Sequence, residues 1–391
     1  MSSLLGALAV VLQPSNLLVI LGGTLIGILV GAMPGLTSVM GLSIMMPFTL
    51  SMGGTSGILM LLGVFCGAIY GGSITAILIN TPGTSNSAAT CLDGYPMANK
   101  LRQPGRAIGL STLASTFGGL FSAVMLLWTS PLLAKFALKF NSPEYFCLAI
   151  FGLCMVTGLA SKNVVKGLIG AVLGLLLATV GIDSLTGTMR FTFHSSYLLG
   201  GIPMIPMLIA LYALSQGLNN AENGTEGEAG RPKIKVKSVL PAKSDLKRIF
   251  PTLLRSSIIG TLIGAIPGTG GDIACWVGYN EAKRWSKHPE EFGNGSPEGI
   301  AAPESANNAI TGGALIPLLT LGIPGDAGTA VMLSALMMQG ITPGPLLFTT
   351  QTLQVYTIIA GLFFANVFMC LLGYLGIRGF SKIADISNKY L

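Results

Sequence analysis

Apolar runs dominate the chain, and few of them are interrupted by a charge. They fall at residues 17–33, 36–50, 55–80, 107–130, 143–160, 164–182, 198–216, 252–266, 309–321, 326–339 and 353–377. Crossing a bilayer as one helix takes about 20 residues, and several of these runs are shorter than that. The short ones end at Pro-Gly, a pair that breaks a helix. The pattern predicts an all-α polytopic membrane protein in which some helices are whole and others are interrupted. The first residues, MSSLLGALAVVLQ, are apolar but lack the basic start of a cleaved signal peptide, so an interfacial or first membrane helix is expected there.

Composition supports the same reading. Of 391 residues, 51% are hydrophobic and 9% charged, against about 25% charged in soluble domains. With a mean hydropathy of +0.71, the outer surface has to face lipid. The 53 glycines and 21 prolines are many for uninterrupted helices, but both residues are enriched in membrane helices that pack closely or break. Six cysteines lie in or beside apolar stretches without a CxxC pair, and the two histidines, His194 and His288, do not stand at ligand spacing. Neither a disulfide framework nor a zinc site is indicated.

Charge then sets topology. The net charge of +7 comes from basic residues clustered in loops, which speaks for membrane orientation and against a nucleic-acid partner. Lys100, Arg102 and Arg106 form one basic loop, Lys162 and Lys166 a second, the run from Arg231 to Arg255 a third, and Arg378, Lys382 and Lys389 a tail. All four can be placed in the cytoplasm with a consistent number of crossings. Lys135, Lys139 and Arg190 are the outward exceptions. The polar stretch 219–245 is the clear linker, and it divides the chain into halves.

The halves resemble each other. GTLIGILVGAMPG, ending at Gly35, aligns with SIIGTLIGAIPG, ending at Gly268, with prolines offset by 267 − 34 = 233. GGSITAILINTPG, ending at Gly83, matches GGALIPLLTLGIPG, ending at Gly325, offset by 324 − 82 = 242. Singly, a Pro-Gly is a kink; recurring at matching positions of two halves, it marks a transporter's binding site. Combined with the charge map, this predicts two inverted-topology repeats with re-entrant hairpins. The expected divisions are 1–130 (first repeat), 131–216 (connecting membrane helices), 217–250 (cytoplasmic linker), 251–349 (second repeat) and 350–391 (last membrane helix and tail).

Breaking a helix within the bilayer frees backbone polar groups that protein, water or ligand must satisfy. Thr84, Ser85 and Asn86 follow Pro82-Gly83 where a half-helix is expected to begin, which makes a plausible anion cradle. Around the breaks of the second half lie Thr269, Gly270, Gly271 and Asp272, and also Glu304, Asn307, Asn308 and Thr311. No Lys or Arg falls in these segments, so a carboxylate would be held by N–H groups, hydroxyls and amides. A co-transported cation would supply positive charge, with Asp272, Asp326 and Glu304 as candidates for its site. Asp326 also reads as a helix N-cap, and Glu298 and Glu304 read better as a solvated loop. Tyr70, Tyr95 and Trp128 read as interfacial or packing aromatics. The segment EAKRWSKH, residues 281–288, reads as a solvated helix end.

GAIYGGSITAILINTPGTSNSAATCLDGYPMANK, GAIPGTGG, APESANNAITGGALIPLLTLGIPG and GITPGPLLF together resemble the large membrane subunit of the tripartite tricarboxylate transporters, the TctA family. The likeness spans about residues 22–348. It implies a multi-pass secondary transporter of the bacterial inner membrane that takes up a carboxylate and is driven by a Na+ or H+ gradient, without cofactor or ATP. It also implies two partners, a small four-helix membrane subunit and a periplasmic solute-binding protein; a homo-oligomer is a further option. By position, the family signatures fall on Pro34-Gly35, Asn80 with Pro82-Gly83, Asp93-Gly94, Pro267-Gly268, Asn307-Asn308 and Pro324-Gly325. Family members commonly carry a small hydroxyl residue where this chain has Asp326, whose charge disfavours a multiply charged tricarboxylate unless it is protonated or paired with sodium. Family members also continue through further apolar segments, so either a C-terminal part is missing here or the chain is a shortened member. The rival expectations are a channel-like pore and a non-transporting scaffold subunit. An enzyme is not expected, because no nucleophile-base pair is present.

Overall fold

A computed structural model of the chain describes residues 2–33, 35–141, 143–144, 146–147, 150, 164–183, 186–202, 206–207, 209–214, 218, 241 and 243–383. The chain order is α1 (Ser2–Val11), α2 (Pro14–Gly31), α3 (Ser38–Leu50), α4 (Gly54–Ile79), α5 (Cys91–Tyr95), α6 (Pro104–Ala137), α7 (Val164–Ala178), α8 (Lys243–Ala265), α9 (Gly270–Trp285), α10 (Pro297–Gly313), α11 (Leu315–Leu321), α12 (Ala327–Met338), α13 (Leu347–Thr350) and α14 (Thr352–Ile383). A two-residue hairpin, β1 (Gly181–Ile182) with β2 (Met189–Arg190), pairs antiparallel. Among the described residues, α2, α4, α6 and the Thr352–Gly376 part of α14 are long and apolar enough to cross a membrane. The expected segment 143–160 and the linker 219–245 lie largely outside the described residues, and 198–216 lies partly outside them.

Small residues set the packing. Along α2 and α4 the glycines alternate so that backbone meets backbone: a Cβ on Gly27 would collide with the Val64 carbonyl, and one on Gly67 with the Thr24 carbonyl. Close helix approach through small residues is the membrane alternative to a hydrophobic driving force, since lipid is as apolar as leucine. The α8–α10 pair repeats the contact, with Gly260 against the Ala306 carbonyl. Gly27 and Gly260 differ by 260 − 27 = 233, and Val64 and Ala306 by 306 − 64 = 242, the two offsets of the sequence repeat. The core behind these pairs joins the halves: Phe65, Leu62 and Leu59 of α4 cluster with Leu318 and Leu319 of α11, Val331 and Leu336 of α12, and Leu362 of α14.

Two expectations need correction. The helix expected from residue 309 begins twelve residues earlier, at Pro297, and buries all 17 of its residues. Glu298 and Glu304 are therefore not in a solvated loop. Glu298 is nearly buried in the first turn of α10, paired with Arg248 at 2.9 Å, and Glu304 is fully buried. Hydropathy misses this stretch because Glu298, Glu304 and Ser305 bind groups on other segments of the chain and not water. Similarly, α8 starts at Lys243, inside the basic run, because Arg106 binds Asp245 at 2.6 Å and Arg248 reaches Glu291 and Glu298. As read from sequence, Tyr70 is a packing aromatic, fully buried with its hydroxyl 2.7 Å from that of Thr112. Trp128 is 72% exposed on the outside of α6.

Candidate functional site

The breaks of both halves meet around one cavity of about 640 Å3, lined by residues 37–39, 84–86, 267–272, 323–324, 326–328 and 330. Three helices begin at its wall. Thr37 caps α3, its hydroxyl accepting from the Met40 N–H at 3.2 Å. At α9, Thr269 and Gly270 form the entry. Asp326 caps α12 in a capping box, accepting from the Thr329 N–H at 2.7 Å while the Thr329 hydroxyl accepts from the Asp326 N–H at 2.9 Å. A helix start carries unpaired N–H groups and the positive end of the macrodipole. The positive ends of three helices thus point at one cavity that no Lys or Arg lines, and the carboxylates of Asp272 and Asp326 stand against them.

The expected site residues separate into three groups. Thr84, Ser85, Asn86, Pro267, Gly268, Thr269, Gly270 and Pro324 line the cavity, as do Asp272 and Asp326. The cap role read for Asp326 is present, and the same residue faces the cavity. Asn307 sits just behind the wall: a Cβ on Gly271 would lie 2.7 Å from the Asn307 Oδ1 and 2.5 Å from the Asn86 Nδ2, so only glycine at 271 lets these amides converge. Gly83 and Gly325 shape the breaks without lining the cavity. A Cβ on Gly83 would strike the Gly31 carbonyl, and one on Gly325 would lie 2.5 Å from the Gly264 carbonyl. These pairs are again equivalent, since 264 − 31 = 233 and 325 − 83 = 242. The Gly325 carbonyl accepts from the Gly268 N–H at 2.8 Å, tying the two breaks of the second half together.

Other expected residues lie elsewhere. Asn80 is an exposed, left-handed C-cap of α4 at φ 55°, matched by Gly322 at φ 73° after α11. Its role there is to end the helix, which Asn does with little strain. Pro82 is half-buried beside it and Gly35 leads into α3 with φ 91°; Pro34 lies outside the described residues. Asn308 is fully buried, its Nδ2 donating to the Glu304 carbonyl at 3.0 Å. Glu304 does not line the cavity. The run after Gly83 also does not start one half-helix: a 3-10 turn at Ser85–Ser87 and the five-residue α5 take its place, too short for a macrodipole. At the cavity, the anion-favouring ends belong to α3, α9 and α12.

Among the described residues, several buried polar atoms near the site have no protein partner: Thr84 Oγ1, Ser87 Oγ, both amide atoms of Asn307, and Asn308 Oδ1. Such atoms are costly unless something else satisfies them. Sequence reasoning missed Thr37, whose signal is a hydroxyl residue just past a Pro-Gly, and underrated Asp93. The Asp93 Oδ1 accepts from the N–H groups of Gly293, Gly295 and Ser296 at 2.9, 2.8 and 2.7 Å, and Oδ2 from the Tyr279 hydroxyl at 2.9 Å. This fully buried carboxylate fastens α5 to α9 and to the α9–α10 connection.

Helices long and apolar enough to cross a membrane, packed on glycine, with discontinuous segments meeting at one cavity, define a polytopic membrane protein. The chain matches the Tripartite tricarboxylate transporter TctA family over residues 17–391, and it belongs to that family. The family is one of transporters and not of enzymes, and comprises the large subunit of systems that include a small membrane subunit and a periplasmic binding protein. The chain is similar to a protein of Agrobacterium vitis described as "Uncharacterized 52.8 kDa protein in TAR-I ttuC' 3'region", 40% identical over 380 residues, covering 97% of this chain and 75% of that one. A second Agrobacterium vitis protein, "Uncharacterized protein in TAR-II ttuC' 3'region", is 45% identical over 132 residues, covering 34% of this chain and 54% of that one. No solved structure matches the chain.

Proposed function

We propose that this chain is the transport subunit of a binding-protein-dependent tripartite system that takes up a carboxylate across the bacterial inner membrane. Uptake is coupled to a cation, Na+ or H+, and proceeds by alternating access around the cavity. The observation that carries this reading is the convergence of three helix starts on a cavity lined by no Lys or Arg. Oriented N–H groups suit a carboxylate, and the unpartnered hydroxyl of Thr84 and amide of Asn307 supply neutral hydrogen bonds. Asp272 and Asp326 stand in the same cavity, so a bound cation would offset their repulsion of an anionic solute. Their presence favours a substrate with one or two carboxylates over three.

The arrangement of the halves as inverted repeats is part of the proposal. Its support is the recurrence, at offsets 233 and 242, of Gly27–Val64 as Gly260–Ala306 and of Gly31–Gly83 as Gly264–Gly325. A pseudo-two-fold axis in the membrane plane is what places such paired breaks at a common midplane site. The partners are the small four-helix subunit and the periplasmic solute-binding protein of the same system.

The test is uptake of labelled mono-, di- and tricarboxylates into proteoliposomes holding the chain, its small subunit and the loaded binding protein, with Na+ or H+ gradients imposed separately. Saturable uptake that requires one gradient is expected. Uptake that neither saturates nor needs a gradient would make the protein a channel, and none under any condition would leave it a scaffold.

A further inference from the structure

We propose that Glu304 is the proton-carrying residue of this protein, cycling between an ionised and a neutral carboxyl as the two halves move. The inference rests on the cation-coupled reading above and names the ion and its residue.

Glu304 lies midway along α10, 0% exposed. Its Oε1 accepts from the Thr90 hydroxyl at 2.5 Å and its Oε2 from the Ser115 hydroxyl at 2.9 Å. Ser111 and Ser73, mutually bonded at 2.8 Å and fully buried, also face the carboxyl. These hydroxyls come from α4, α6 and the turn after Gly83, all in the first half, whereas Glu304 belongs to the second. Among the described residues no cationic side chain pairs with it. The ionisable groups that face it are Tyr70 on α4, Cys91 at the start of α5 and Cys275 on α9, all neutral at physiological pH by type. The arginines of α8 are engaged elsewhere, Arg248 with Glu291 and Glu298 and Arg255 over the Trp285 ring at 5.3 Å. Tyr374 of α14 donates to the Gly109 carbonyl at 3.0 Å.

A buried carboxylate without a counter-charge is among the costliest groups in a membrane protein, and those that persist mark proton or ion pathways. Here hydroxyls already meet both carboxyl oxygens at hydrogen-bond distance. A proton can join such contacts without displacing the oxygens. Binding it converts the carboxylate to a carboxylic acid, the proton coming from and returning to water on opposite sides as access alternates.

The position also links protonation to the cavity. Asn307, whose amide backs Gly271, follows Glu304 by one helical turn. Thr90 belongs to the same turn as the cavity-lining Thr84 and Asn86. Charge-assisted bonds to the ionised carboxylate hold that turn against α10; neutralising it weakens them and frees the halves to shift.

Infrared difference spectra of the purified, lipid-reconstituted chain between acidic and alkaline buffer test this without any substrate. A carboxylic-acid C=O band is expected that is lost in Glu304→Gln and kept in Asp272→Asn and Asp326→Asn. A band that survives Glu304→Gln overturns the proposal, and so does one abolished when NaCl replaces choline chloride at fixed pH, which would make the ion sodium. Should Glu304→Gln fail to fold, Ser115→Ala serves: removal of one donor is expected to move the band and its midpoint, and an unmoved band again overturns the assignment. Failure here leaves the uptake assay untouched, and failed uptake leaves this titration untouched.

Discussion

Gly83 presents its Cα to the carbonyl oxygen of Gly31, so closely that a Cβ would overlap that oxygen. The contact seats the first-half break on α2, as Gly325 seats the second-half break on α8 through Gly264. Gly83→Ala and Gly325→Ala should each destabilise the protein by about 1–3 kcal/mol through overpacking. Thermal unfolding in detergent would read this as a lowered Tm of similar size for both. A silent Gly83→Ala would mean that the break is not held as described.

Asp93 satisfies three backbone N–H groups and the Tyr279 hydroxyl in a fully buried setting. Asp93→Ala should cost at least about 3 kcal/mol, since each orphaned buried donor costs about 1–3. Tyr279→Phe should cost about 1 kcal/mol alone and less in the Asp93→Ala background, because the two share one interaction. Equal costs of Tyr279→Phe in both backgrounds would count against the clamp.

The Arg106–Asp245 pair at 2.6 Å places the start of α6 beside the start of α8. Cysteines introduced as Lys100→Cys and Lys247→Cys, with reactive native thiols removed, should therefore react with an impermeant maleimide from the same side of sealed vesicles. The loop charges make that side the cytoplasm. Labelling from opposite sides would refute both the pairing and the topology.

At the cavity, Thr84→Ala and Asn307→Ala remove unpartnered buried groups, so stability should change little while uptake falls about ten-fold or more, the worth of one lost polar contact to a charged solute. Asn80→Gly should leave uptake near normal, since glycine accepts the left-handed φ of 55° that the helix end requires. Uptake that collapses in Asn80→Gly and survives Asn307→Ala would move the site away from the cavity.

The sequence by itself determined the class and the broken helices. Few charges, long apolar runs and paired Pro-Gly breaks are local signals, legible because lipid leaves a chain few ways to satisfy its backbone. Tertiary structure alone decided which polar residues do what. Glu304 and Asn307 sit in a segment that reads as loop by hydropathy, and it is helical because Thr90, Ser115 and neighbouring backbones surround it. Asn80 and Asn308 look alike in sequence, yet one caps a helix at the surface and the other is sealed in the core. The partners of Glu304, Thr90 and Ser115, lie more than a hundred residues away along the chain, and no local pattern encodes which hydroxyl will meet which carboxylate.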